Sequence, residues 1–137
     1  MKALLCTVPL DVGFPRDSSQ LPVNPKIAIV SLIKWMEHHG YTPEEYDFYD
    51  IDMLDPSDEE IRAYFEECRP AVLGLSAVVS TTYLQVMRIA RIAREVCPEI
   101  WIVLGGSLSV AANVVLHKTE VDICIQSDGE NPWVEFC

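Results

Sequence analysis

The sequence has little positive charge and no clustered metal ligands. Ten Lys and Arg residues stand against 21 Asp and Glu residues, for a formal net charge of −11. A surface of that sign repels a phosphate backbone or an anionic lipid. The five cysteines are scattered, with no C-x-x-C pair and no Cys/His cluster of the kind that holds zinc. We therefore expect no nucleic-acid partner, and cysteines that act as small core residues.

Long apolar segments are absent as well. The apolar start of the chain, MKALLCTVPL, is too short to span a bilayer and lacks a small-residue cleavage site. This segment predicts a strand, and the protein is expected to be cytoplasmic and to have no membrane partner. Half of the residues are hydrophobic and 23% are charged, a balance typical of one globular domain.

Apolar runs and helical stripes alternate along the chain. Ile29, Leu32, Ile33 and Met36 form one helical stripe, and a Ser57–Glu60 capping box opens another helix. The apolar runs predict five strands, at residues 3–8, 46–49, 71–76, 101–104 and 121–125. The alternation predicts an α/β fold: a doubly wound, five-stranded parallel sheet of flavodoxin-like or Rossmann-like type, in the order 2-1-3-4-5 and flanked by helices.

A sheet of this order binds ligands at the carboxyl ends of its strands. The first loop there has neither G-x-G-x-x-G nor a Walker lysine, and the third strand ends in Ser76 rather than Asp, so a nucleotide site and a phosphoryl-accepting receiver are both disfavoured. Small and hydroxyl residues suit either a large ligand or plain capping and turns, and both interpretations stay open. The candidates in these loops are Pro9, Gly13, Ser76, Ser80, Thr81, Gly105, Gly106 and Ser107.

Three segments in order, VLGLSAVVSTT, IVLGGSLSVAANVVL and VDICIQSDGE, resemble the N-terminal cobalamin-binding domain of cobalamin-dependent radical S-adenosylmethionine enzymes. KALLCTVPL and IAIVSLIKWMEHHGY resemble the first strand and first helix of that family, so the likeness covers residues 1–137. It implies a cobalamin-binding-like domain forming the N-terminal part of a longer radical enzyme. It also implies that Ser76, Val78, Gly105 and Gly106 border the nucleotide tail of cobalamin.

Three departures from related patterns refine this expectation. Cobalamin mutases carry D-x-H-x-x-G after the first strand, whereas Asp11-Val12-Gly13 has no His, which implies cobalamin without a lower His ligand from the protein. The family's G-E-G-E is Ser127-Asp128-Gly129-Glu130 here; Gly129 and Glu130 remain candidates, with Glu130 capping the next helix in preference to bonding a ligand. The C-x-x-x-C-x-x-C motif is absent, so the chain alone is not catalytic, and S-adenosylmethionine and a [4Fe–4S] cluster would belong to a downstream domain.

The resemblance also implies partners. These are a downstream catalytic radical domain and a small-molecule substrate, with methyl transfer or a ring-forming cyclisation as the reaction. The alternative is a cofactor-free Rossmann-like domain with a docking or structural role; flavin binding is weaker, because the first loop lacks a phosphate-cradling turn. Among the tryptophans, Trp101 is expected in the core and Trp133 at a docking surface.

Overall fold

The computed structural model describes residues 2–10, 26–78, 80–126 and 128–137. Within these ranges, five strands form one sheet in the order β2-β1-β3-β4-β5, and every neighbouring pair is parallel. The strand order and the parallel pairing confirm the fold predicted from the sequence. The strands are β1 Ala3–Thr7, β2 Tyr46–Tyr49, β3 Val72–Ser76, β4 Trp101–Gly105 and β5 Ile123–Cys124.

Helices connect successive strands, and two of them begin with a 3₁₀ turn. The predicted capping box is present at the start of α3, where Ser57 and Glu60 each accept a hydrogen bond from the other's backbone N–H. The helices are α1 Ile27–His38, α2 Ile51–Leu54, α3 Asp58–Cys68, α4 Tyr83–Val96, α5 Ala112–Lys118 and α6 Glu130–Phe136, with 3₁₀ turns at Ser80–Thr82 and Ser107–Ala111. No helix of the described residues is long and apolar enough to cross a membrane.

The sheet buries a different core on each face, because side chains alternate along every strand. Leu4, Leu73 and Ile102 lie in one row across β1, β3 and β4, and they pack with α3, α4 and α5. The opposite face carries Ala3, Leu5, Val72 and Val103, which pack with α1 and α6. The candidate site lies on this second face.

Arg94 of α4 fixes the amino-end edge of β4 and β5. Its guanidinium donates to both oxygens of Asp122, at 2.8 and 2.7 Å, and to the carbonyl of Ile100 at 2.6 Å. Asp122 Oδ2 also accepts from the backbone N–H of Ile102. Asp122, part of the VDICI segment, therefore positions the edge strand and lies at the amino end of the sheet, away from the carboxyl ends.

Two tryptophans are placed opposite to expectation. Trp101 is the first residue of β4 and 52% exposed, with its ring edge-on to Phe136 at 5.9 Å, so its predicted core position is wrong. It lies at the amino end of the sheet, where Phe136 in the last turn of α6 packs against it. Trp133 is 2% exposed, because α6 turns this side chain towards the sheet, and its predicted place at a docking surface is wrong too.

Candidate functional site

A slot of about 330 Å³ lies between the sheet and helices α1 and α6. Its sheet side is formed by β1, β3 and β4, and its mouth by the segments that follow β3 and β4 and precede α6. The slot therefore opens at the carboxyl edge of the sheet, where the strand order reverses between β1 and β3. This is the position at which doubly wound sheets bind their ligands.

The slot exists because the sheet carries small residues there. Leu5, Gly74 and Val103 form one row on this face, and the next row towards the carboxyl edge contains Ser76 and Gly105. No atom of the described residues lies within 4 Å of a Cβ added at Gly105, so among these residues the strand surface there is open to the slot. Larger side chains in these rows would fill the space between the sheet and the helices.

Trp133 closes the deep end of the slot. A Cβ at Gly74 would lie 2.8 Å from Cη2 of Trp133 and 2.9 Å from Cδ2 of Leu5, so only glycine lets the indole lie against β3. The indole Nε1 donates to Sδ of Met36 at 3.2 Å. The polar atom of Trp133 is thus engaged outside the slot, and the ring carbons form its floor.

The mouth carries polar groups of two kinds. The hydroxyls of Ser76 and Ser107 have no hydrogen-bond partner among the described residues, so they are available to a ligand. Glu130 Oε1 instead accepts from Ser31 Oγ at 2.6 Å, which joins α6 to α1 and holds the pKa of the Glu130 carboxyl below its usual value. The sequence predicted that Glu130 caps the next helix. In the structure Glu130 is the first residue of α6, and its carboxylate joins α6 to α1.

Gly106 has a structural role of its own. Its φ is +91°, and an added Cβ would lie 2.3 Å from the carbonyl oxygen of Ala77. This oxygen accepts from the N–H of Leu108, and the N–H of Ala77 donates to Gly105. Gly106 therefore lets the segments after β3 and β4 cross closely, whereas Gly105 borders the open slot.

Most of the residues predicted from the sequence line the slot: Ser76, Val78, Gly105, Gly106, Ser107, Gly129 and Glu130. Pro9 is buried after β1, and Thr81 is exposed in a 3₁₀ turn, both away from the slot lining. Gly13 lies outside the described residues. The backbone of Ser80 is described within the same turn, but its side chain is not.

The sequence analysis missed most of the apolar lining. A glycine inside a strand often marks a close approach, so Gly74 in VLGLS carried a usable signal. The helix residues carried no such signal, because a buried helical stripe does not show which element it packs against. The missed lining residues are Leu5, Ala28, Ile29, Leu32, Gly74, Leu75, Val103, Ile125, Asp128 and Trp133.

A polar network lies beside the slot, at the carboxyl ends of β1 and β2. Thr7 Oγ1 donates to Asp50 Oδ1 at 2.6 Å and accepts from the N–H of Asp52. Asp52 bonds Lys26 Nζ at 2.6 Å and the N–H of Leu10 at 3.3 Å. The Asp52 carboxylate thus holds the end of the first strand segment and the start of α1 together.

Comparison with protein families decides the class of this domain. Residues 22–136 match the model of the B12-binding domain, which is well over half of the chain. The chain belongs to the B12-binding domain family.

One solved structure extends this result to the fold. A cobalamin-binding protein from Desulfitobacterium hafniense DCB-2 superimposes on this B12-binding domain with a TM-score of 0.61 and 18% sequence identity. The match covers 99% of this chain and 56% of that one, so the domain spans a little over half of that protein's length. At this identity the likeness shows a shared fold. No curated protein matches the sequence.

Proposed function

We propose that this B12-binding domain holds cobalamin by its nucleotide tail, with the dimethylbenzimidazole in the slot and the corrin left at the carboxyl edge. The main support for this proposal is the open slot, whose volume is at the low end of the roughly 300–1,000 Å³ usual for ligand pockets. Such a space suits a flat aromatic base and excludes a corrin ring. Membership of the B12-binding family supports cobalamin as the ligand.

In this proposal, each part of the slot contributes to binding the tail. Gly105 leaves the sheet surface clear for the base, and Ser76 and Ser107 offer hydroxyls to polar atoms of the tail. The apolar lining excludes water from the base. Bound cobalamin would supply the reactive cobalt chemistry, while the protein binds and orients it.

The cobalt receives no imidazole from this chain in the proposal. All three histidines of the sequence, His38, His39 and His117, lie at the C-terminal ends of α1 and α5. Those helix ends precede β2 and β5 and thus lie at the amino edge of the sheet, across the molecule from the slot mouth. This placement agrees with the missing His in the segment after the first strand.

The catalytic setting we propose is a radical S-adenosylmethionine enzyme, in which a downstream domain binds the [4Fe–4S] cluster and the small-molecule substrate. The support is the resemblance in the VLGLSAVVSTT, IVLGGSLSVAANVVL and VDICIQSDGE segments. Methyl transfer or cyclisation would follow in that domain. Finding C-x-x-x-C-x-x-C in the gene downstream of residue 137 is the expected result, and a gene with no such motif would contradict the radical setting.

A cofactor-free docking domain is the less favoured function. Such a domain would gain stability by filling the space above Gly105, since buried side chains contribute more free energy than an open slot. The open sheet surface and the hydroxyls of Ser76 and Ser107, which have no partner among the described residues, instead favour a bound ligand.

Spectroscopy of the purified protein tests the proposal. After incubation with hydroxocobalamin and desalting, the protein should retain corrin absorbance. Gly105→Val should fold normally, because the φ of Gly105 is ordinary and no atom of the described residues lies within 4 Å of its added Cβ. Crowding should still cost binding about 1–3 kcal/mol, which is about fivefold to 150-fold in Kd.

Thr81→Ala is the matched control, because this exposed residue does not line the slot and its variant should bind like the wild type. A folded wild-type protein that retains no corrin would refute the proposal. Equal affinity of Gly105→Val and the wild type would place the tail elsewhere.

A further inference from the structure

Among the described residues, the side chains at the deep end of the slot are apolar. Leu5, Gly74 and Val103 form its sheet side, Ile29 lies on the α1 side, and the ring carbons of Trp133 form the floor. Trp133 Nε1 is engaged by Met36. Among the described residues, the polar side chains of the slot lie at its mouth, where Glu130 is already bonded to Ser31.

Backbone groups at the deep end are engaged as well. β1, β3 and β4 each pair with a strand on both sides, so their N–H and C=O groups at this row are used in the sheet. Within α6, the N–H of Trp133 donates to the carbonyl of Gly129, and the carbonyl of Trp133 accepts from the N–H of Cys137. A polar atom carried into the deep end would therefore find the backbone groups of the sheet and of Trp133 already engaged, and no polar side chain there among the described residues.

This matters because tail bases of corrinoids differ in polarity. The six-membered ring of 5,6-dimethylbenzimidazole carries two methyl groups and no heteroatom. Adenine in the same place carries two ring nitrogens and an exocyclic amine. Methyl groups gain free energy from apolar burial, whereas an unpaired amine or ring nitrogen loses its hydrogen bonds to water.

We infer that this slot selects the tail base, accepting benzimidazoles and discriminating against purines, with Val103, Gly74 and Trp133 as the specificity-determining residues. The inference rests on the proposed function, because it requires the tail to enter the slot. An apolar pocket rejects a ligand with an added polar group by roughly tenfold to a hundredfold, and this is the discrimination we expect.

Binding of three corrinoids to the whole chain tests the inference. Dissociation constants are measured for cobalamin, for its analogue with adenine as the base, and for cobinamide, which has no nucleotide tail. Excess cyanide occupies both axial positions of cobalt, so the base is free of the metal in both tailed ligands. Cobalamin should bind tightest, and the adenine analogue roughly tenfold to a hundredfold more weakly.

The outcomes separate the two proposals. Equal affinity for cobalamin and the adenine analogue, with cobinamide weaker than both, would overturn base selection and leave tail binding intact. Equal affinity for all three corrinoids would show that the tail does not enter the slot, and would refute the proposed function itself.

A matched pair of variants then tests the assigned row. Val103→Thr replaces a methyl group at the deep end by a hydroxyl and keeps the side chain nearly the same shape. The hydroxyl can bond a purine nitrogen or amine, so the preference for cobalamin over the adenine analogue should fall severalfold. Val110→Thr makes the same change at a side chain that is 77% exposed and does not line the slot, and it should leave the preference unchanged. An unchanged preference in Val103→Thr would remove Val103 from the specificity residues.

Discussion

At the scale of the residue, Gly105 and Gly106 are adjacent, but different physical constraints favour glycine at the two positions. Gly105 has an ordinary φ, and no atom of the described residues lies within 4 Å of where its Cβ would be, so a side chain there would instead crowd a bound ligand. Gly106 has φ +91° and the carbonyl of Ala77 directly in the path of a Cβ. A G-G pair in a sequence does not distinguish these cases, because both look like a tight turn.

Gly106→Ala should destabilise the domain by at least about 2 kcal/mol, since the variant combines backbone strain with a clash against a backbone oxygen. Urea denaturation measures the loss. Gly40→Ala is the control, because Gly40 also has φ +91° but no atom of the described residues lies within 4 Å of its added Cβ, and a loss of about 1 kcal/mol is expected. Equal losses in the two variants would show that the approach of Ala77 is unimportant.

At the scale of the element, the slot depends on how α1 and α6 are held together. The hydrogen bond from Ser31 to Glu130 joins the two helices near the mouth, and Trp133 to Met36 joins them at depth. The first bond lowers the pKa of Glu130 in the folded state. It therefore contributes stability above the usual glutamate pKa of 4.5, and this stability is lost as the pH falls through the lowered folded value.

Ser31→Ala should lower the free energy of unfolding by about 1 kcal/mol at neutral pH. The difference from the wild type should shrink as the pH falls below 4.5, because protonated Glu130 no longer accepts a charge-assisted bond. Denaturation curves at several pH values measure this. Ser107→Ala should show neither effect, as its hydroxyl has no partner among the described residues; a pH-independent loss in Ser31→Ala would contradict the assigned bond.

Elements differ in how far the sequence could predict them. The strands were predictable to within a residue or two at most ends, because apolar runs between capped helices have few other interpretations. Helix α2 was not predicted: it is four residues long, and its start depends on the Asp50 side chain accepting from the N–H of Met53. Trp101 and Trp133 were misplaced because burial at the two ends of the sheet depends on where α6 lies.

The mouth of the candidate site could be predicted from the sequence, whereas its deep end could not. Strand order alone places Ser76, Gly105 and Ser107 at one edge, since the carboxyl ends of parallel strands meet there. The deep end is made where the side chains of Trp133 and Leu5 both lie against Gly74, which joins distant parts of the chain. Periodicity shows that each of these residues is buried, but not that a space remains between them.

At the scale of the whole molecule, the charge imbalance acts on stability. With a formal net charge of −11, the folded chain repels itself at neutral pH, and compaction brings like charges together. Ion pairs such as Lys26 with Asp52 offset only part of this repulsion. Screening by salt should therefore favour the folded state.

Raising NaCl from about 0.1 to about 1 M shortens the Debye length from about 10 to about 3 Å, and the Tm at pH 7 should rise. Thermal unfolding followed by circular dichroism measures the change. The same series near pH 4.5, the isoelectric point of the sequence, is the control, and salt should have little effect there. A Tm that falls with salt at pH 7 would mean that attractive ion pairs outweigh the net repulsion.

The two helical sides of the slot come from opposite ends of the chain. Ile29 of α1 and Trp133 of α6 are about a hundred residues apart, and the sheet rows between them are synthesised in the interval. A ribosome adds about 5–20 residues per second, so the site stays incomplete for roughly 5–20 s after α1 has been made. Under the proposed function, a corrinoid tail should therefore enter the slot only after α6 has been synthesised.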